Sequence, residues 1–135
     1  LLQLLDSHGE WVSFTDLRLM RRMARDSKHR NVSPRQTLEH WHYVRRSEKK
    51  HILPYVADAD FVLNGSLPYE LCLYKPMLKE FFQEYALHAT EAPEDALERA
   101  QRIHNLLEQI PAAEPSDAIS KLSVVREFIG GGVIQ

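Results

Sequence analysis

Four arginines, Arg18, Arg21, Arg22 and Arg25, recur at i, i+3, i+4 and i+7 within the segment TDLRLMRRMARD. On a helix turning about 100° per residue they share roughly a 100° arc, and Leu17, Leu19, Met20, Met23 and Ala24 take the opposite face. Like charges at these spacings repel by roughly 0.2–0.5 kcal/mol per close pair. Arg18 also falls in the first helical turn, where the helix dipole disfavours a cation. A bound anion would offset those costs, because guanidinium forks match phosphate oxygens. The competing explanation is an ordinary solvated helical face.

Other groups that could do chemistry are less well placed. His40 and His42 in HWH point about 200° apart on a helix, so they cannot share one metal, and one is expected to face solvent while the other packs. Trp41, at helical spacing from Leu38 and Val44, reads as core. No Ser/His/Asp order with supporting context appears, and no carboxylate pair is singled out by its neighbours. Glu70 and Asp60 read as turn and edge residues. The run from Gly130 to Gly132 lacks the Lys-Ser/Thr of a phosphate loop and reads as a terminator.

The elements that must position the arginines belong to a chain of 135 residues, 44% hydrophobic, which is one domain's worth of core. The net charge of −2 conceals an asymmetry: residues 16–50 hold eleven Lys and Arg against four acids, a local +7. Such a block inside an acidic remainder points to a local anionic ligand rather than to general nucleic-acid affinity. No apolar run approaches the roughly 20 residues needed to span a bilayer. The single cysteine, Cys72, has no disulfide partner within the chain, consistent with a reducing, cytoplasmic setting. The sequons at Asn31 and Asn64 then signify turn chemistry alone. The start at Leu1, within the apolar run LLQLL, reads as a cut from something longer.

Residues 1–5 read as a strand end and 6–10 as a polar turn. Thr15 or Asp16 caps a helix to about Lys28, and residues 29–32 break it. Ser33, Pro34 and Gln36 form a strong helix start, predicting a second helix to Leu53, stopped by Pro54. Two short strands, 59–63 and 69–74, flank a turn at Asn64, Gly65 and Ser66. A helix over 77–89 carries the stripe Leu78, Phe81, Phe82 and Tyr85. Pro93 opens another, with Ala96, Ala100, Ile103, Leu107 and Ile110 on one face. A linker spans 111–115, and a short Ser123-capped helix closes at Gly130.

The order LRLMRRMARD, then W-x-x-VRR-x-E, then I-x-P, then ADADFVLNGSLPYELCLYKP resembles the uridine kinase/phosphoribulokinase family of P-loop kinases. It is most similar to the longer bacterial uridine-kinase-like members ending in REFIGG, here Arg126 to Gly131. The likeness runs from about residue 15 to 128 and is densest over 15–26, 41–54 and 59–76. Several motifs in one order make it specific. The family pattern places glycines where Asn31 and Ser47 stand, and the turn over 7–11 also departs from it.

The resemblance implies the C-terminal, lid-bearing part of an ATP-dependent kinase that phosphorylates a nucleoside or sugar hydroxyl. Arg18 would lie nearest the acceptor, and Arg21, Arg22 and Arg25 would approach the ATP phosphates. Arg45 and Arg46, in the VRR element, are secondary candidates, or a surface pair bonded to Glu48 or Glu39. The phosphate loop, the Mg²⁺ site and the catalytic acid would belong to an upstream P-loop core, so this segment alone would be inactive. The implied fold is an α-rich α/β segment, four or five helices with two or three short strands, incomplete without the upstream parallel sheet. Within that single segment, 15–54 forms the basic lid helices, 59–90 a strand-turn-strand plus helix, and 93–135 a helical tail. Apolar surface left by the missing core, at LLQLL and 61–74, predicts self-association. The alternatives are a non-catalytic anion- or RNA-binding module, or a protein-interaction module docking through its acidic C-terminal helices. No exposed aromatics are expected to interleave with the basic residues, which argues against single-stranded nucleic acid.

Overall fold

The apolar stripe of Leu17, Leu19, Met20, Met23 and Ala24 is buried on helix α1 (Phe14–His29) of the computed structural model, which describes residues 2–133. Helix α1 starts a turn earlier than its polar residues suggest. The Ser13 carbonyl receives the Asp16 and Leu17 amides. Thr15 and Asp16 are not caps; both are drawn into the interior. Thr15 Oγ1 accepts from Trp41 Nε1 at 2.9 Å, and the Asp16 carboxylate accepts two bonds from Arg102 at 2.5 and 2.8 Å. Donating to Asp16 holds the Arg102 guanidinium pKa above its ordinary value.

Ser33 caps α2 (Pro34–Glu39) as its sequence requires, its side chain accepting from the Gln36 amide. Asn31, just before it, has φ of 50°, the left-handed region that glycine enters freely and asparagine tolerates better than most. The expected single helix to Leu53 breaks at His40, whose backbone (φ −87°, ψ −1°) ends α2 and starts α3 (Trp41–His51). The break seats Trp41 in the core against α1. Pro54 lies within a 3₁₀ segment (Leu53–Asp58) that follows α3.

The expected strands do not form. Among the described residues there is no strand, only one isolated antiparallel bridge between Leu5 and Trp11 that closes the 6–10 turn. The chain is therefore helical, and the α/β expectation is wrong. Residues 69–74 instead open α4 (Glu70–His88), burying Leu71, Tyr74, Leu78, Phe82 and Tyr85 at helical spacing. A short apolar run satisfies either period, and here length and the following stripe decide. Residues 59–63 have no neighbouring strand to pair with and run as an extended loop. Asn64 secures that loop: its side chain bonds the backbone of Gln3 in both directions and the Ser66 amide.

Pro76 made a strand ending before it look natural, yet it lies inside α4. Proline lacks the amide that would bond the carbonyl four residues back. That carbonyl, of Cys72, receives the Ala113 amide at 2.9 Å instead, and Lys75 Nζ donates to the Ile110 carbonyl at 2.5 Å. The helix therefore holds its proline by docking the segment after α5.

Helix α5 (Glu94–Gln109) pairs extensively with α4 and buries Ala96, Ala100, Ile103 and Leu107. Arg99, also buried, reaches the Leu38 carbonyl of α2. Tyr85 of α4 donates to Glu39 of α2 at 2.9 Å beneath the Arg35 guanidinium. The chain ends in α6 (Arg126–Ile129), where the Ser123 carbonyl, not its side chain, receives the Arg126 amide. Gly130 closes α6 with φ of 86°. Phe128 and Ile129 are buried where α6 packs on α1, and Lys28 Nζ donates to the Ile129 carbonyl. Among the described residues no helix is long and apolar enough to cross a membrane.

Two outcomes follow from these contacts. Amide exchange at Ala113 should be at least about ten-fold slower than at Glu114, because only the former is tied to the proline-freed carbonyl; equal rates would show that the docking is not maintained. Burial, then the Glu39 bond, raise the Tyr85 phenol from 10.0 to about 12. A raised folded-state pKa gives stability that is present below pH 10 and lost as pH climbs toward 12. Denaturant unfolding of Tyr85→Phe should therefore show a shallower alkaline loss than wild type, leaving the share due to Tyr74.

Candidate functional site

The polar face of α1 looks into a cleft of about 770 Å³, and all four arginines line it. Its other walls come from α3, the 3₁₀ segment, the 59–63 loop and α6, among them Trp41, Val44, Ile52, Val56, Phe61 and Phe128. The cleft is thus a strip of guanidiniums facing aromatic and aliphatic side chains. Such a surface suits a molecule with both an anionic and an apolar part.

Each arginine also has a carboxylate. Arg21 lies deepest: its Nε and Nη2 form a fork on Glu70 at 2.7 and 2.8 Å, and Nη2 also donates to the Gly65 carbonyl at 2.8 Å. Its guanidinium sits 5.2 Å from the Phe128 ring centre. Glu70 is fully buried and also accepts from the Leu67 amide and the Tyr74 hydroxyl, both at 2.9 Å. Burial alone would lower the Arg21 pKa, but the Glu70 bonds and charge raise it overall. Burial first, then Glu70, push the Tyr74 phenol far above the ordinary tyrosine range. Arg21 is therefore a strut between α1 and the start of α4.

The other three are more accessible. Arg18 pairs with the buried Glu48 of α3, which Arg45 also holds at 2.6 Å. Arg22 binds Asp26 one turn along α1 at 2.6 Å. Arg25 meets Glu127 of α6 at 3.4 Å, and Glu127 is 56% exposed. This last pair is the loosest of the four. Arg25 Nε has no hydrogen-bond partner among the described residues.

The secondary candidates separate. Arg45 packs over the Phe14 ring at 5.2 Å and pairs with Glu48, so its role is to anchor α3 to α1. Arg46 points to solvent and does not line the cleft. His40 is exposed, whereas His42 is half-buried against the Glu39 carbonyl, and no metal-holding group of three His, Cys, Asp or Glu occurs among the described residues. Asp60 is exposed and Cys72 half-buried.

Sequence reasoning missed the carboxylates. Glu70 read as a turn residue, and Glu48 was noticed only as a partner for the VRR element. Two spacings were local signals, i, i+3 for Arg45 and Glu48 and i, i+4 for Arg22 and Asp26; Glu70 lies 49 positions from Arg21 and left none. Comparisons with protein-family models, curated proteins and solved structures gave no match.

The carboxylates of Arg21 and Arg25 differ in what they contribute. Glu70→Ala should destabilise the fold by about 3–5 kcal/mol by leaving a buried guanidinium unpaired. Glu127→Ala, at an exposed pair, should cost under about 1 kcal/mol. Urea unfolding of both variants compares them; similar losses would refute the distinction between strut and open pair.

Proposed function

We propose that this chain is the C-terminal, lid-bearing part of an ATP-dependent kinase resembling the uridine kinase/phosphoribulokinase family. The parent transfers a phosphoryl group to a nucleoside or sugar hydroxyl. The observation that carries this reading is the convergence of Arg18, Arg21, Arg22 and Arg25 on one cleft with apolar walls. Phosphoryl transfer is largely positioning and charge stabilisation, which guanidiniums on a single rigid helix provide.

ATP fits the residues present. Guanidinium forks match its phosphates, and the exposed Phe61 ring offers flat apolar surface for its base. When bound, ATP supplies the phosphoryl group. Arg25 exchanges its carboxylate for phosphate oxygens, Arg22 adds its charge while held by Asp26, Arg18 serves the acceptor side, and Arg21 keeps α1 in register while adding its field. Mg²⁺ does not fit here, because the carboxylates at the cleft are already held by arginines.

The reading also accounts for the cleft's rim. Ile52, Phe61 and Val62 are exposed there, as expected where an upstream P-loop core docks and where the isolated segment would self-associate. The lone Cys72 suits a reducing, cytoplasmic setting.

Single-turnover phosphoryl transfer from ATP by the full-length protein tests the proposal. Arg25→Ala should lower the rate at least about ten-fold while leaving the far-UV spectrum unchanged. An unchanged rate removes the phosphate role.

A further inference from the structure

Nearly every lysine and arginine side chain of the protein is held by a carboxylate or a backbone carbonyl. The exceptions among the described residues are Lys121 and three cations of α3: Arg46, Lys49 and Lys50. Those three are exposed and lie within one turn, near the end of the helix. The cations that the fold does not use are therefore gathered in one place.

Helical spacing puts Tyr43, Arg46, Ser47 and Lys50, at i, i+3, i+4 and i+7, on one stripe, with Lys49 beside it. All five are exposed, and none lines the arginine cleft. The carboxylate of this stretch, Glu48, faces the other way, buried against Arg18 and Arg45. Asp58 and Asp60, exposed on the segment that follows, form no ion pair with the stripe. Like charges at i+3 and i+4 repel, and here no carboxylate relieves them, in contrast to the row on α1. The helix dipole favours cations in this last turn, but it supplies no acceptor for a guanidinium and two ammonium groups. Phosphate oxygens would supply them.

Tyr43 narrows the kind of anion. Its ring is 61% exposed. The His42 ring, itself bonded to the Glu39 carbonyl, packs against it at 4.0 Å between centres and steadies it. A steadied, open ring one turn from a guanidinium offers a stacking platform for a base beside partners for its phosphates. An anionic bilayer would instead need aliphatic side chains on the same stripe, and the stripe has none. The objection to single-stranded nucleic acid was the lack of an exposed aromatic among the basic residues, and Tyr43 removes it.

We propose that the outer face of α3 binds single-stranded nucleic acid, with Arg46, Lys49 and Lys50 on its phosphates and a base stacked on Tyr43. The contact lies outside the cleft and does not depend on phosphoryl transfer.

Fluorescence anisotropy of a labelled oligouridylate of about twelve nucleotides, titrated with the chain at several salt concentrations, tests it. Saturable binding at roughly 10 μM in about 50 mM salt is expected, with a log–log salt slope near about −2, or about 0.7 for each of three phosphate contacts. Arg46→Gln, Lys49→Gln and Lys50→Gln combined should flatten that slope and weaken binding at least about ten-fold. Tyr43→Ala should weaken it about ten-fold and leave the slope unchanged. The substituted positions are exposed, and far-UV spectra check that each variant folds. No saturable binding up to about 100 μM protein, a triple variant or a Tyr43→Ala variant that binds as wild type, or binding lost in Arg25→Ala instead, would overturn the proposal. So would co-sedimentation with phosphatidylserine vesicles without oligouridylate binding, which would assign the face to a lipid surface.

Discussion

Glu70 is the carboxylate on which the candidate site rests. It is wholly buried at the first position of α4, and four donors converge on it: two from Arg21, the Leu67 amide and the Tyr74 hydroxyl. Those bonds join α1 to α4 and set the path of the loop between the 3₁₀ segment and α4, since the same guanidinium holds the Gly65 carbonyl. A buried ion pair repays its desolvation only when its hydrogen bonds are well made, and this one has them on both sides. Phe128 over the Arg21 guanidinium extends the same node to α6.

The arginine row shows how a helix carries four like charges on one face. Repulsion between neighbours at i+3 and i+4 is relieved by carboxylates drawn from four places: α3, the start of α4, α1 itself and α6. The pairs differ in burial: Glu48, Glu70 and Asp26 are enclosed, whereas Glu127 is half in water. This difference divides the labour. Enclosed pairs hold the helix in place, and the screened, solvent-facing pair is the one an incoming anion can exchange at low cost.

A second tertiary bargain sits at Pro76. The Cys72 carbonyl it leaves free is met by the Ala113 amide, so the segment after α5 folds back on the α4–α5 hairpin. The proline also explains why the strand expectation failed. YELCLY ahead of a proline has the composition of a strand, but Leu71, Tyr74, Leu78 and Phe82 already carry the helical period across it. The split at His40 was hidden for a related reason: the HWH stretch is compatible with a continuous helix, and only the docking of Trp41 onto Thr15 selects the break.

What the sequence determined by itself were features set by neighbours within one or two turns. The buried stripe of α1, the Ser33 and Pro34 start of α2, the α5 face and the Gly130 stop were all legible because caps and periodicity are local. The grouping of the four arginines was legible too, since helical spacing alone puts them on one face. Only the tertiary structure decided what they meet: Glu48, Glu70 and Glu127 lie 30, 49 and 102 positions from their arginines. It also decided that Thr15 and Asp16 serve as interior partners rather than caps. Pairing of this kind depends on which helices pack together, and no periodicity along the chain encodes it.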